Sequence, residues 1–236
     1  MSRTVLFDLD GTLLNLDIEE FLRHYMRLVG AYFSHVAPPE KFTRAIWAST
    51  NAMIANLDPS LTNHEAFAAH FEPLVGRPWE EMWPGFMDFY VKEFPRLRGL
   101  SKEDGVAFRV LSQCLRSGWN LILATNPIFP EIAIRERLRW CDAHEIPWKF
   151  ITHIDNMHFC KPHLQYYEEI VRVCGLDPSR CVMVGNDVQE DMVAKSLGMK
   201  TYLVEGLVID RGGGPEPDLR GPLAQVPEAI EKLLPL

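Results

Sequence analysis

Two carboxylates spaced two residues apart, with a glycine directly after the second, lie near the start of the chain in Asp8-Leu9-Asp10-Gly11-Thr12-Leu13. On an extended strand, side chains at i and i+2 project to the same side, so Asp8 and Asp10 can address one reacting centre. At about 4 Å such charges repel by about 4 kcal/mol near a surface, so the pair either shares a proton or gathers a cation. A second acidic group follows Val184-Gly185-Asn186, with Asp187 and Asp191 four residues apart. Asp8, Asp10, Asp187 and Asp191 together make an all-oxygen donor set, which suits Mg²⁺ better than Zn²⁺. Thr125 and Asn126 add a hydroxyl, an amide and backbone N–H groups. Lys161-Pro162 adds a positive charge just ahead of a helical segment, whose N-terminus favours anions. Each of these has a plainer reading by itself. Asp10-Gly11 is a hairpin signal, Asp191 is a favourable charge at a helix start, and Lys-Pro is a common solvated loop.

Their positions in the chain favour a site. Thr4-Val5-Leu6-Phe7 runs without alternation into Asp8, as a strand covered on both faces does. Similar runs, 120–124, 181–184 and 200–204, precede or follow the other groups, and 149–152 is a weaker fifth. Helical periodicity fills the intervals 105–117, 130–142, 164–174 and 191–197, with Gly118, Gly175 and Gly198 as stops. Strand-helix alternation predicts a parallel sheet with helices on both faces, and ligands there bind beyond the carboxyl ends of the strands. Residues 15–98 break the rhythm. They hold helical blocks at 18–33, 39–56, 64–75 and 79–94, separated by Pro38-Pro39, Asp58-Pro59 and Gly76-Arg77-Pro78. This reads as an all-helical insertion whose aromatic residues, Phe21, Tyr25, Phe33, Trp47, Phe71, Trp83 and Phe89 among them, are expected mostly to pack its own core. Gly212-Gly213-Gly214-Pro215-Glu216-Pro217 reads as a short flexible loop before a last helix at 227–234.

Composition narrows the function classes. The 236 residues carry 24 Lys and Arg against 32 Asp and Glu, a formal charge of -8. That balance argues against a nucleic-acid or anionic-membrane partner, both of which need a basic surface. No apolar run approaches the roughly 18 residues of a membrane helix, and the opening residues do not read as a signal peptide. Five cysteines with no Cys-x-x-Cys pair predict neither a disulfide framework nor a thiolate zinc site, and so a reducing, cytoplasmic setting.

The four segments, in this order, resemble the haloacid dehalogenase superfamily, in particular its phosphohydrolase branch with a helical C1-type cap inserted after the first strand. Cys160-Lys161-Pro162, Gly175-Leu176-Asp177-Pro178, Met183-Val184-Gly185-Asn186-Asp187 and Gly198-Met199-Lys200-Thr201 look like that family's second half. The resemblance implies an α/β fold with a Rossmann-like core at 1–15 and 97–236 and a cap at 16–96. It implies a Mg²⁺-dependent phosphatase for a small phosphorylated metabolite, with Asp8 as nucleophile, forming an aspartyl-phosphate, and Asp10 as general acid and then base. The metal would be held by Asp8, the Asp10 carbonyl and Asp187, with Asp191 close by or acting through water. Thr125 and Asn126 would hold phosphoryl oxygens, and Lys161 would offset their charge. One residue departs from the pattern: Asn186 stands where the family has glycine directly before the first acid.

A phosphomutase would use the same residues. A dehalogenase would need neither an acid at position 10 nor the pair at 187 and 191. A non-catalytic binding module would tolerate the loss of Asp8, Asp10, Lys161 or Asp187, and all four are present. His24, His64, His70, His158 and His163 are expected to be solvated or locally satisfied rather than catalytic. The substrate and the oligomeric state are left open.

Overall fold

The computed structural model describes residues 3–102 and 104–235. Six parallel strands form one sheet, β1 (Thr4–Phe7), β2 (Asn120–Leu123), β3 (Phe150–Ile151), β4 (Cys181–Gly185), β5 (Lys200–Val204) and β6 (Leu219–Gly221), in the order β3-β2-β1-β4-β5-β6. The chain builds outward from β1 first on one side and then on the other, so β1 and β4 flank the point where strand order reverses. A ligand crevice opens at that switch point. Asp8, Thr125 and Asn186 all follow strands that end at the same edge.

The unbroken apolar runs have a simple geometric cause. Val5 and Phe7 face one hydrophobic cluster and Leu6 faces the other, since alternate residues point to opposite sides. One face is covered by α5 (Val106–Arg116), α6 (Glu131–Trp140) and α8 (Val226–Leu233). The other is covered by α7 (Leu164–Cys174) and a 3₁₀ turn at Met192–Leu197, the segment whose spacing predicts a short helix. The weak fifth strand is confined to two residues. β6 pairs with β5 at the far edge although Leu219-Arg220-Gly221 has no apolar run.

Between β1 and α5 lie α1 (Ile18–Tyr32), α2 (Pro39–Ala55), α3 (Asn63–Val75) and α4 (Trp79–Lys92), followed by a 3₁₀ stretch at Phe94–Leu100. Asp17 caps α1 by accepting from the Glu20 N–H, and Pro39 opens α2, where a missing N–H costs nothing. Phe33, Phe42, Phe71 and Phe86 pack within this helical segment. Phe21 and Tyr25 do not follow the expectation of a self-contained core. Phe21 packs edge-on against Phe94, Phe129 and Trp140, and Tyr25 against Phe129 at 5.3 Å. The hydrophobic cluster on this face therefore runs from the sheet into the inserted helices.

The first turn of α3 is a second junction. Its Asn63 and His64 N–H groups donate to the Met157 and Ile154 carbonyls, at 2.8 and 3.0 Å. The Glu65 N–H donates to Thr62 Oγ1, and the Glu65 carboxylate accepts from the Thr62 N–H, completing a capping box. Every amide that lacks an intrahelical partner is thus satisfied, half of them by the loop after β3. Thr62→Ala removes the cap and is expected to cost about 1 kcal/mol, lowering the melting temperature by about 2–4 °C. A calorimetric scan that leaves it unchanged would show that the docking to 154–157 holds the helix start without the cap.

Candidate active site

The loop after β1 is folded tightly: the Leu14 N–H donates to the Leu9 carbonyl at 2.8 Å and the Gly11 N–H to the Leu14 carbonyl at 2.8 Å. Gly11 has φ +80°, and a Cβ there would fall 2.2 Å from Asn186 Nδ2, so a side chain at position 11 is excluded twice. This turn places Asp8 and Asp10 on the wall of a cavity of ≈ 530 Å³ together with Thr125, Asn126, Asp187, Glu190 and Asp191.

Asp8 is buried, and both of its carboxylate oxygens are occupied. Lys161 Nζ donates to Oδ1 at 2.9 Å, and Thr12 Oγ1 donates to Oδ2 at 3.2 Å. The same ammonium donates to Asp191 Oδ1 at 2.6 Å, and Asp191 Oδ2 accepts from the Asp187 N–H at 2.9 Å. Burial by itself would lower the Lys161 pKa, but Asp191 and Asp8 outweigh it and hold it well above its ordinary value. Lys161 therefore stays charged. Burial, partly opposed by Lys161, raises Asp191. A Cβ at position 185 would lie 2.1 Å from Asp191 Oδ2, so Gly185 makes room for this carboxylate. Asn186 acts as a brace. Its Oδ1 accepts from Thr12 at 3.0 Å and its Nδ2 donates to the Leu207 carbonyl at 2.6 Å.

Two basic residues complete the site that sequence patterns did not single out. Arg137, buried in α6, donates from Nη1 to Asp10 Oδ2 and lies over the Phe129 ring at 4.6 Å. Burial pushes the Asp10 carboxyl up, and Arg137 pulls it back. Asp10 Oδ1 is buried with no partner. In sequence Arg137 looks like one of three solvated arginines, with Arg135 and Arg139. Its spacing from Ala133, Ile134 and Leu138 nevertheless puts it on the helix's buried face. Arg211 donates from Nη1 and Nη2 to the two Asp187 oxygens, at 2.9 and 2.7 Å. Its loop is not free as composition suggests. The Ile209 N–H donates to the Asn186 carbonyl, the Val188 N–H donates to the Ile209 carbonyl, and Gln189 Nε2 donates to Asp210 and to the Gly212 carbonyl.

Elsewhere on the wall, Asn126 Nδ2 donates to Glu190 Oε2 at 3.1 Å, while Asn126 Oδ1 is buried without a partner. Of the sequence-predicted residues, all but Lys161 line the cavity directly, and Lys161 reaches it through Asp8. The histidines do not line it. His64 pairs with Asp155 and Trp79, His70 with Ser49, His158 with Glu169 and His163 with the Ile54 carbonyl.

For a divalent metal the donors fit in kind: hard carboxylate oxygens, the Asp10 carbonyl and no sulfur or imidazole among them. Among the described residues no three acidic or imidazole side chains converge as a ready cage. Asp187 accepts from Arg211 through both oxygens, and each oxygen has a second lone pair that a metal ion could use.

Arg137→Met leaves Asp10 buried without its counter-charge and is expected to cost about 3–5 kcal/mol. Combining it with Asp10→Asn, which removes the carboxylate too, is expected to restore most of that loss. Urea unfolding of the two single variants and the double variant measures the coupling, and additive losses would mean the pair is not coupled.

The family model for haloacid dehalogenase-like hydrolases matches residues 2–198. Among curated proteins, pyrophosphatase PpaX of Bacillus cereus (strain AH820) is 22% identical over 201 residues, covering 85% of this chain and 82% of the relative. Among solved structures, a HAD phosphatase from Thermococcus onnurineus superposes with TM-score 0.60 at 18% identity, covering 97% of each chain. The L-2-haloacid dehalogenase of Xanthobacter autotrophicus superposes with TM-score 0.57 at 13% identity, over 98% of this chain and 99% of that one. Likenesses this remote speak for the fold. The match of the family model over most of the chain, a span that includes Asp8, Thr125, Lys161 and Asp187, makes this protein a member of the haloacid dehalogenase-like hydrolase family.

Proposed function

We propose that this hydrolase is a phosphatase that releases phosphate from a small phosphorylated metabolite through an aspartyl-phosphate on Asp8. The observation that supports this most is the Asp8 carboxylate held between Lys161 and Thr12, on one cavity wall with Thr125 and Asn126. Phosphoryl transfer asks for alignment and charge compensation more than for covalent elaboration, and these residues supply both. The curated relative is named a pyrophosphatase, an activity that also breaks a P–O bond.

In this reading an Asp8 oxygen attacks phosphorus in line as the bond to the leaving oxygen breaks. Asp10 protonates that oxygen. Burial favours the acid form of Asp10, and its unpartnered Oδ1 is free to carry the proton. Arg137 holds the other oxygen, which fixes the direction of the carboxyl group. Water then attacks the aspartyl-phosphate, Asp10 takes its proton, and the Asp8 carboxylate and phosphate are released. Thr125 and Asn126 orient the phosphoryl oxygens, and Lys161 offsets their charge.

Asp8, the Asp10 carbonyl and Asp187 would hold Mg²⁺, with Asp191 behind them steering Lys161. When bound, the ion would offset negative charge on the phosphoryl oxygens. A metal there would share Asp187 with Arg211, which stays paired with that carboxylate. The inserted helices would act as a cap that keeps bulk water from the site. Small phosphates rather than folded phosphoproteins are the expected substrates. Five free thiols and the absence, among the described residues, of a helix able to cross a membrane suit a reducing compartment such as the cytoplasm.

Asp8→Asn is expected to lower phosphatase turnover by more than about 10³-fold while far-ultraviolet circular dichroism stays that of the parent; near-parental turnover would remove Asp8 as nucleophile. Excess chelator is expected to abolish activity and Mg²⁺ to restore it, measured as phosphate release. Undiminished turnover in chelator would sink the metal assignment, and chloride release from 2-chloropropionate in its place would point to halide displacement by Asp8.

A further inference from the structure

The cavity above Asp8 has a chemical character that nothing in the catalytic residues requires. We propose that it takes an uncharged, largely apolar leaving group, so that the substrate is the phosphate monoester of an aromatic or branched aliphatic alcohol. The inference rests on the phosphatase reading and adds the substrate class.

The ≈ 530 Å³ of space is enough for a group well beyond a two-carbon acid. The inserted helices line it with Leu22, Met26, Ile46, Ile54, Phe67 and Phe86, and contribute no Lys, Arg or His to its wall. Several polar tips on its aromatic residues are engaged with other partners. The Tyr25 and Tyr90 hydroxyls lie 2.9 Å from each other, and the Trp79 indole N–H donates to His64 Nε2. These rings, with those of Trp47 and Trp83, offer the cavity mainly hydrocarbon and no charge. The remaining polar groups of α2, Thr50 and Asn51, are uncharged.

The basic residues near the floor are already paired. Lys161 lies between Asp8 and Asp191, and Arg137 is bonded to Asp10 through Nη1 with Nη2 buried and unpartnered; neither lines the cavity. Arg211 is held by Asp187, with Glu190 3.8 Å away. A second anion on the leaving group, a carboxylate or another phosphate, would lie against aromatic and aliphatic side chains without a counter-charge, which is heavily unfavourable. A phenyl or branched alkyl group would instead leave water for a fitting apolar surface.

Wild-type protein with Mg²⁺ is tested on four phosphates: acetyl phosphate, ethyl phosphate, 2-phenylethyl phosphate and 2-phosphoglycolate. Acetyl phosphate is small and activated, so its turnover reports the phosphatase chemistry without the upper cavity. Ethyl and 2-phenylethyl phosphate differ by one aromatic ring, whose burial is expected to raise kcat/KM by at least ~10-fold. The expected order is 2-phenylethyl phosphate above ethyl phosphate, with 2-phosphoglycolate lowest of the three esters. Turnover of acetyl phosphate with 2-phosphoglycolate equal to or above 2-phenylethyl phosphate, or with no gain from the ring, overturns the apolar assignment and leaves the phosphatase standing. Failure to turn over acetyl phosphate and all three esters removes the phosphatase reading and this inference together.

Discussion

The site depends on one buried ammonium. Lys161 Nζ sits between the Asp8 and Asp191 carboxylates, out of reach of bulk water. An ion there is stable only with close counter-charges, and the two acids supply them. Most of the surrounding architecture follows from keeping these three groups together. Gly185 leaves space for Asp191, the Asp187 N–H fixes its second oxygen, and Thr12 and Asn186 hold the turn that carries Asp8. The sheet contributes by setting β1 beside β4, so that residues 8 and 187 leave the same edge.

Around this centre the wall carries five acidic side chains, Asp8, Asp10, Asp187, Glu190 and Asp191. Lys161, Arg137 and Arg211 answer them. Burial raises the pKa of Asp10 and of Glu190, while Arg137 and Lys161 respectively pull them back. A site so balanced is suited to a divalent cation and to an acid that gives up its proton on demand. Arg211 stabilises the acidic loop by pairing with both Asp187 oxygens.

The inserted helices divide their aromatic residues between two tasks. Phe21 and Tyr25 weld α1 to Phe129 and Trp140 beside the sheet. Phe67, Trp79 and Phe86 face the cavity. With α3 docked through backbone hydrogen bonds to 154–157, the segment is anchored at its N-terminal helix and at one helix start. A hydrophobic roof and a charged floor thus share one enclosure, and the low polarity of the roof strengthens the electrostatics of the floor.

Sequence patterns alone determined the central strands, because a strand buried on both faces must be apolar at every position, as 4–7 and 181–184 are. They also located the acids, threonine, asparagine and lysine that meet at one edge, because parallel strands deliver whatever follows them to the same place. β6 was illegible because a short edge strand needs backbone partners more than apolar side chains. Arg137 was hidden among helix-surface charges, and Arg211 in a glycine-rich loop, because their roles depend on residues 127 and 24 positions away. Which carboxylate faces which cation, and whether an aromatic ring lines a cavity or fills a core, was decided only in the folded molecule. Both are distances between parts of the chain that local periodicity does not encode.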